Sequence, residues 1–324
     1  MSAVGPLVSI VTPSYNQAAY LEATIQSVLA QDYPQIEYIV IDGGSADGSV
    51  EIIRRYKDRL SYWVSEPDAG QAQAINKGLS RATGSILAWL NSDDTYTPGA
   101  VRRAVAALAA HPEHDLAYAN CDYVDTKGRL LQRVAAWDFV PRRVLSGIPL
   151  VIQPASFFRR RALERAGLLD ESLQYLMDHD YFVRMVLLGL TFLKVEDVWA
   201  HFRWHAASKT SQQWVGFNLE LQQIIERTFT PPTAGLPAAW RREARANAWQ
   251  SLGEAYSVSG QPAQARSALV QALRAAPIRP KSVMALALML DLRLGTHLAA
   301  RLRRWRYHLP DAPAGGQPFE MIDV

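Results

Sequence analysis

Residues 7–90 alternate short β-rich runs with stretches of helical period, and no other feature limits the fold as strongly. Leu7 to Val11, Glu37 to Ile41, Leu60 to Val64 and Ser85 to Leu90 read as strands. Between them, Leu21, Ile25, Val28 and Leu29 share a helical face, Val50, Ile52, Ile53 and Tyr56 follow a second helix, and Gly70 to Ala82 a third. Strand and helix in strict alternation predict βαβ crossovers around a mostly parallel sheet. The run Ile86 to Leu90 is apolar throughout, as a strand covered on both faces requires.

Open sheets of this kind bind ligands beyond the carboxyl ends of their strands. Three polar clusters fall there: Thr12-Pro13-Ser14-Tyr15, Asp42 before Gly43-Gly44-Ser45, and Asn91-Ser92-Asp93-Asp94. Each alone suits a turn or a helix cap, whereas together at one edge they favour a nucleotide site. No GxGxxG and no GxxxxGK[ST] occurs, so neither a classical dinucleotide fold nor a P-loop is supported. Further along, Met177-Asp178-His179-Asp180 opens a helix bearing Phe182, Met185, Val186 and Leu187, with Asp180 expected as its cap.

Past Thr230 the pattern becomes Ala-rich helix. Trp249, Leu252, Gly253, Tyr256, Ala265, Leu269, Ala272 and Pro277 follow the spacing of one tetratricopeptide-like helix pair over about residues 246–279. The expected organisation is an α/β domain over 1–230 and a helical appendage over 231–324. Residues 231–324 carry 12 Lys/Arg against 6 Asp/Glu, so the net charge of +3 hides a neutral-to-acidic first part. That distribution argues against a nucleic-acid binder. In the tail, Leu294, Leu298, Leu302 and Trp305 recur among arginines, a pattern suited equally to a packed terminal helix or to peripheral contact with an anionic membrane. No secretory signal and no spanning apolar run is visible, giving an expected cytoplasmic location, at most peripheral to the inner face of the membrane. Cys121 is the single cysteine and reads as packing.

The motifs Val8 to Asn16, Ile41-Asp42-Gly43-Gly44-Ser45, Asn76-Lys77-Gly78, Leu90 to Asp94, Met177 to Asp180 and Arg203 to Thr210 stand in the order found in family-2 glycosyltransferases. In these the sequence resembles an enzyme of the GT-A nucleotide-diphospho-sugar transferase fold, of the kind that builds bacterial surface polysaccharides. The resemblance implies that Pro13, Ser14 and Tyr15 flank the donor base and Asp42 hydrogen-bonds it, while Asp68 and Asn76 lie beside the ribose and diphosphate. It implies donor contacts from Asp93, His205 and Lys209, with Lys77 adding charge, and a divalent Mg or Mn ion on Asp94 and Asp93, Asp94 the favoured ligand. Asn91 occupies the position where the family has an acid, and Met177 replaces the first acid of the family's usual Glu-Asp pair.

The chemistry asks for these residue types in its own right. Departure of a nucleoside diphosphate creates a multiply charged anion that a hard cation on carboxylates stabilises. An attacking hydroxyl must lose its proton, and Asp178 is the expected base. The expected function is an inverting, hexosyltransferase-like transfer from a nucleotide-diphospho-sugar to a saccharide or lipid-linked saccharide hydroxyl. The alternative is a non-catalytic nucleotide-sugar binder or assembly protein that docks a partner through its helical appendage.

Overall fold

The computed structural model describes residues 5–148, 150–205, 213–229, 236–277 and 285–290. Its nine strands form one sheet: β1 (Val8–Ser14), β2 (Ile36–Asp42), β3 (Tyr62–Ser65), β4 (Ile86–Trp89), β5 (Thr95–Tyr96), β6 (Leu116–Val124), β7 (Leu130–Val134), β8 (Ser156–Arg159) and β9 (Phe192–Arg203). The order is β3-β2-β1-β4-β8-β6-β9-β5, with β7 paired to β6 outside that path. The expected alternation holds through β4, because β1, β2, β3 and β4 pair in parallel, joined by α1 (Leu21–Leu29), α2 (Ser49–Tyr56) and α3 (Gln71–Arg81). Antiparallel β8 then separates β4 from β6, and β9 returns parallel to β6. The fold is therefore α/β with a mixed second half, completed by α4 (Ala100–Ala110), α5 (Pro141–Leu145), α6 (Arg160–Ala166) and α7 (Met177–Leu187).

The apolar strand faces supply the core. Val8, Ile10, Val40 and Ala88 are buried among Leu21, Ile25, Val101 and Phe157. On the other face, α3 comes close enough to β1 that a Cβ at Gly78 would lie 2.3 Å from Val11 Cγ1, so only glycine fits that turn of the helix. Cys121 is fully buried in β6 and burial pushes its thiol pKa up, in keeping with a packing role.

The chain divides into two compact units at residue 212, with 145–148 grouped with the second. The division precedes the expected boundary at 230, because α8 (Trp214–Thr228) packs within the second unit: Arg245 on α9 (Ala238–Val258) donates to Glu226. Within the same unit α9 and α10 (Pro262–Ala275) meet closely, a Cβ at Gly253 coming within 2.8 Å of Leu269. Among the described residues no helix is long and apolar enough to cross a membrane. The basic stretch from residue 291 onward lies outside the described residues.

Candidate active site

The three polar clusters do meet at one edge of the sheet. Register pairs Ser14 with Asp42 and Asp42 with Ser65, so β1, β2 and β3 end side by side. Asp42 is fully buried, and its Oδ2 accepts hydrogen bonds from the Gly44 and Ser45 amides at 3.1 and 2.9 Å and from Ser65 Oγ at 2.7 Å. Its Oδ1 accepts one, from Ser45 Oγ at 2.6 Å. A carboxylate has about four acceptor positions, so Asp42 shapes the loop first and keeps a second lone pair on Oδ1. Asn16, the one described non-glycine residue at positive φ (51°), locks the β1 loop to its neighbour by accepting from Ala46 N at 2.9 Å while its own amide donates to Ser45 Oγ. Beside these, Tyr15 is 63% exposed and Ser14 Oγ is buried without a partner. Asp68 sits against Gly43, where a Cβ would meet its Oδ2 at 2.7 Å. A cleft of about 560 Å³ lined by Ser45, Arg54, Trp63 and Ser65 opens next to this loop, but Tyr15, Asp42, Asp93 and His205 do not line it.

At the end of β4 the two aspartates have different surroundings. Asp94 is fully buried; its Oδ1 accepts from the Arg203 amide at 3.0 Å, and Asn91 Nδ2 lies 3.4 Å from its Oδ2. Burial first, and then the neighbouring Asp93 charge, push the Asp94 pKa well up. Asp93 instead is partly open, with Oδ2 at 3.0 Å from His205 Nε2. Asp94, the favoured ligand of the resemblance, is thus held by the strand end, whereas Asp93 presents the more open carboxylate, beside His205.

β9 brings His205 there. Thr95 pairs with His201 and Tyr96 with Ala200, which carries the end of β9 past the Asp93 turn. Arg203, to which the motifs assign no role, organises this corner. Its Nε donates to Asp93 O at 3.0 Å and its Nη1 to Asp125 O at 3.0 Å, and the guanidinium lies 5.3 Å above the Tyr20 ring. Tyr20 in turn packs on the His205 ring at 4.7 Å between centroids.

Asp178 occupies the first turn of α7, partly exposed, its Oδ1 accepting from the His179 amide at 2.8 Å. One turn later Tyr181 meets Trp89 edge-on at 6.0 Å, so the start of α7 lies by the end of β4. Asp180 is not a cap: it pairs with Arg184 at 2.9 Å within the helix. Burial pushes the His179 pKa down to about 4 against the opposing pull of Asp180.

Two residues expected beside the donor have partners within the protein. Both amide hydrogens of Asn76 are taken by Leu169 O and Glu171 Oε1, each at 2.9 Å, which leaves none for a ribose or phosphate. Lys77 pairs with Glu66 at 3.0 Å. Lys209 lies outside the described residues.

Residues 9–167 match glycosyl transferase family 2. An uncharacterized glycosyltransferase of Mycobacterium tuberculosis is 34% identical over 186 residues, 56% of this chain and 70% of that one. TuaG of Bacillus subtilis, a glycosyltransferase named for teichuronic acid biosynthesis, is 44% identical over 94 residues, 28% of this chain and 37% of its own. The crystal structure of Staphylococcus aureus TarS 1-349 in complex with UDP-GlcNAc superposes with a TM-score of 0.66 at 19% identity, covering 98% of this chain and all of that one. That likeness is one of fold, the GT-A arrangement expected from the motifs.

Proposed function

Because this chain belongs to glycosyl transferase family 2, we propose that its sheet edge transfers a hexosyl unit, with inversion, from a nucleotide-diphospho-sugar to a hydroxyl acceptor. The observation that carries the reading is the pairing of Asp93 with His205 at the strand edge beside which α7 begins with Asp178. In this reading Pro13, Ser14 and Tyr15 flank the donor base, Tyr15 offering an exposed ring for stacking. The second lone pair of Asp42 Oδ1 accepts an imide hydrogen, and Asp68 faces the ribose and diphosphate.

Asp93 and His205 would hold Mg²⁺ or Mn²⁺, which when bound offsets charge on the diphosphate. Asp178 accepts the proton of the acceptor hydroxyl as its oxygen attacks the anomeric carbon. The bond from that carbon to the diphosphate oxygen breaks, the electron pair leaves with the nucleoside diphosphate, and attack from the opposite face inverts the centre. A role in surface polysaccharide or glycolipid synthesis, with a saccharide or lipid-linked acceptor, is supported by the likeness to TuaG. Peripheral contact with the inner face of the membrane through the basic C-terminal segment belongs to the same reading.

Thermal shift against UDP and GDP, each with Mn²⁺, Mg²⁺ or EDTA, tests it. A metal-dependent rise in melting temperature with one nucleotide is expected, since a ligand bound only by the fold stabilises it by mass action. No rise with either nucleotide in either metal overturns the reading.

A further inference from the structure

Asn76 lies in the middle of α3 and is only 4% exposed. Its side chain closes both backbone groups of one residue 93 positions later: Nδ2 donates to Leu169 O and Oδ1 accepts from Leu169 N, each at 2.9 Å. Nδ2 also donates to Glu171 Oε1 at 2.9 Å, and Gln73, on the same face of α3, donates to Glu171 Oε2 at 3.0 Å. The segment so gripped folds back on itself, with Leu173 N donating to Asp170 O at 3.2 Å and Ser172 capping Asp170 Oδ1. It then reaches the start of α3, where a Cβ at Gly70 would come within 3.3 Å of Gln174 Oε1. Three residues beyond Gln174, α7 begins with Met177 and Asp178.

The same helix holds the donor side. Gln71, in its first turn, donates to Asn91 Oδ1 at 2.8 Å, in the turn that leads into Asp93. α3 is thus a common beam, tied at its start to the strand end that carries Asp93 and along its flank to the segment that delivers Asp178.

We propose that Asn76 is a positioning residue for the transfer reaction: its two-point grip on Leu169, extended by Glu171, fixes where Asp178 stands relative to the donor. The proposal rests on Asp178 being the base. Asparagine suits the task because it alone among short side chains offers an acceptor and a paired donor in one plane, matching the carbonyl and N–H of a single backbone residue. A leucine or alanine would leave both Leu169 groups unpaired in a buried place, and an aspartate would set a carboxylate against the Leu169 carbonyl and Glu171. Misplacing a catalytic group by about 1 Å costs roughly 10²-fold in rate, so a loosened segment shows itself in turnover before it shows itself in donor affinity.

The test compares full-length wild type, Asn76→Ala, Asn76→Asp, Glu171→Gln and the Asn76→Asp, Glu171→Gln double variant. Hydrogen exchange followed by mass spectrometry, UDP titration with Mn²⁺ in a calorimeter, and UDP release from the UDP-sugar that wild type turns over are measured on each. Expected in Asn76→Ala is exchange over 169–181 faster by at least about tenfold, unchanged exchange in β1, UDP affinity within about threefold, and kcat lower by roughly 10²-fold at nearly constant donor KM. Glu171→Gln, at an exposed position, gives a smaller change in the same direction, and the double variant recovers part of the loss in Asn76→Asp by exchanging donor and acceptor. Unchanged exchange over 177–181 overturns the proposal, as does loss of UDP binding in step with turnover, which would return Asn76 to the donor site. If Asp178→Asn keeps full turnover while Asn76→Ala still frees 169–181, the base assignment has failed and the grip remains.

Discussion

His205 Nε2 lies 3.0 Å from Asp93 Oδ2, across 112 residues of sequence, whereas the adjacent Asp94 points its carboxyl into the core. Asp93→Asn should therefore remove metal-dependent donor binding. Asp94→Asn, which replaces a buried carboxyl of raised pKa by a neutral isostere, should keep it within about threefold. Calorimetric titration of UDP with Mn²⁺ and with EDTA reads the difference. His205→Ala should weaken the metal-dependent part by at least about tenfold, the 1.4 kcal/mol of one lost contact. The opposite order, Asp94→Asn worse than Asp93→Asn, would reverse the ligand assignment.

Asp178→Asn keeps the shape of the first turn of α7 and removes a proton acceptor. Transfer should fall by about 10²–10⁴-fold, the usual contribution of a general base, while UDP binding with Mn²⁺ stays within a few-fold. Single-turnover rates on the purified protein check this, and near-wild-type rates would exclude Asp178 as the base.

Acid should destabilise the fold partly through His179. Its pKa falls from an ordinary value near 6.5 to about 4 because it is buried. The unfolded chain therefore takes up a proton below pH 6.5 that the folded chain refuses until about pH 4. Stability from this source is complete above pH 6.5 and declines as the pH drops toward 4, by about 3 kcal/mol in all. His179→Gln does not titrate, and because His179 Nε2 has no partner the substitution gives up no hydrogen bond at that atom. Urea denaturation at pH 4.5 and 7 should show a smaller pH effect in the variant than in wild type. An equal pH effect in both would assign the acid sensitivity elsewhere.

Arg203→Ala should cost about 3 kcal/mol, because it strands carbonyls at Asp93, Asp125 and Thr126 that a buried guanidinium now satisfies. It should also lower metal-dependent UDP affinity, since the end of β9 carries His205. Chemical denaturation and the same calorimetric titration measure the two losses. Destabilisation without any loss of affinity would show that the His205 position does not depend on this arginine.

How much of this could be read from sequence depends on distance along the chain. β1, β2 and β4 announce themselves because their apolar runs end abruptly in polar residues, and a strand end is a local signal. Hence the sequence alone predicts Tyr15, Asp42 and Asp93 at one edge. The parallel return of β9 along β6, with Leu116 beside Phe192 and Val124 beside Arg203, leaves no local trace, and the antiparallel β8 between β4 and β6 is as silent. The same blindness hides the partners of Asn76 and Asp94. Asparagine and aspartate near a nucleotide motif look like donor ligands, and nothing local in the sequence announces that Leu169 N donates to one and the Arg203 amide to the other. Tyr20 and Gln153 carried no motif at all, yet one packs on His205 and the other donates to Trp89 O at 2.7 Å.

The route of β9 sets a lower limit on how far this enzyme can be trimmed. The family match ends at residue 167, and a fragment cut there would keep every parallel strand of the donor half, Asp42 and Asp93 included. It would lack the strand that closes β6 and β5, and with it His205; it would lack Leu169 as well, so Asn76 would grip nothing. Such a fragment would match the family from end to end while holding Asp93 without His205 and lacking Asp178 altogether. On the proposed reading, a piece that keeps both Asp178 and His205 must run at least through residue 205.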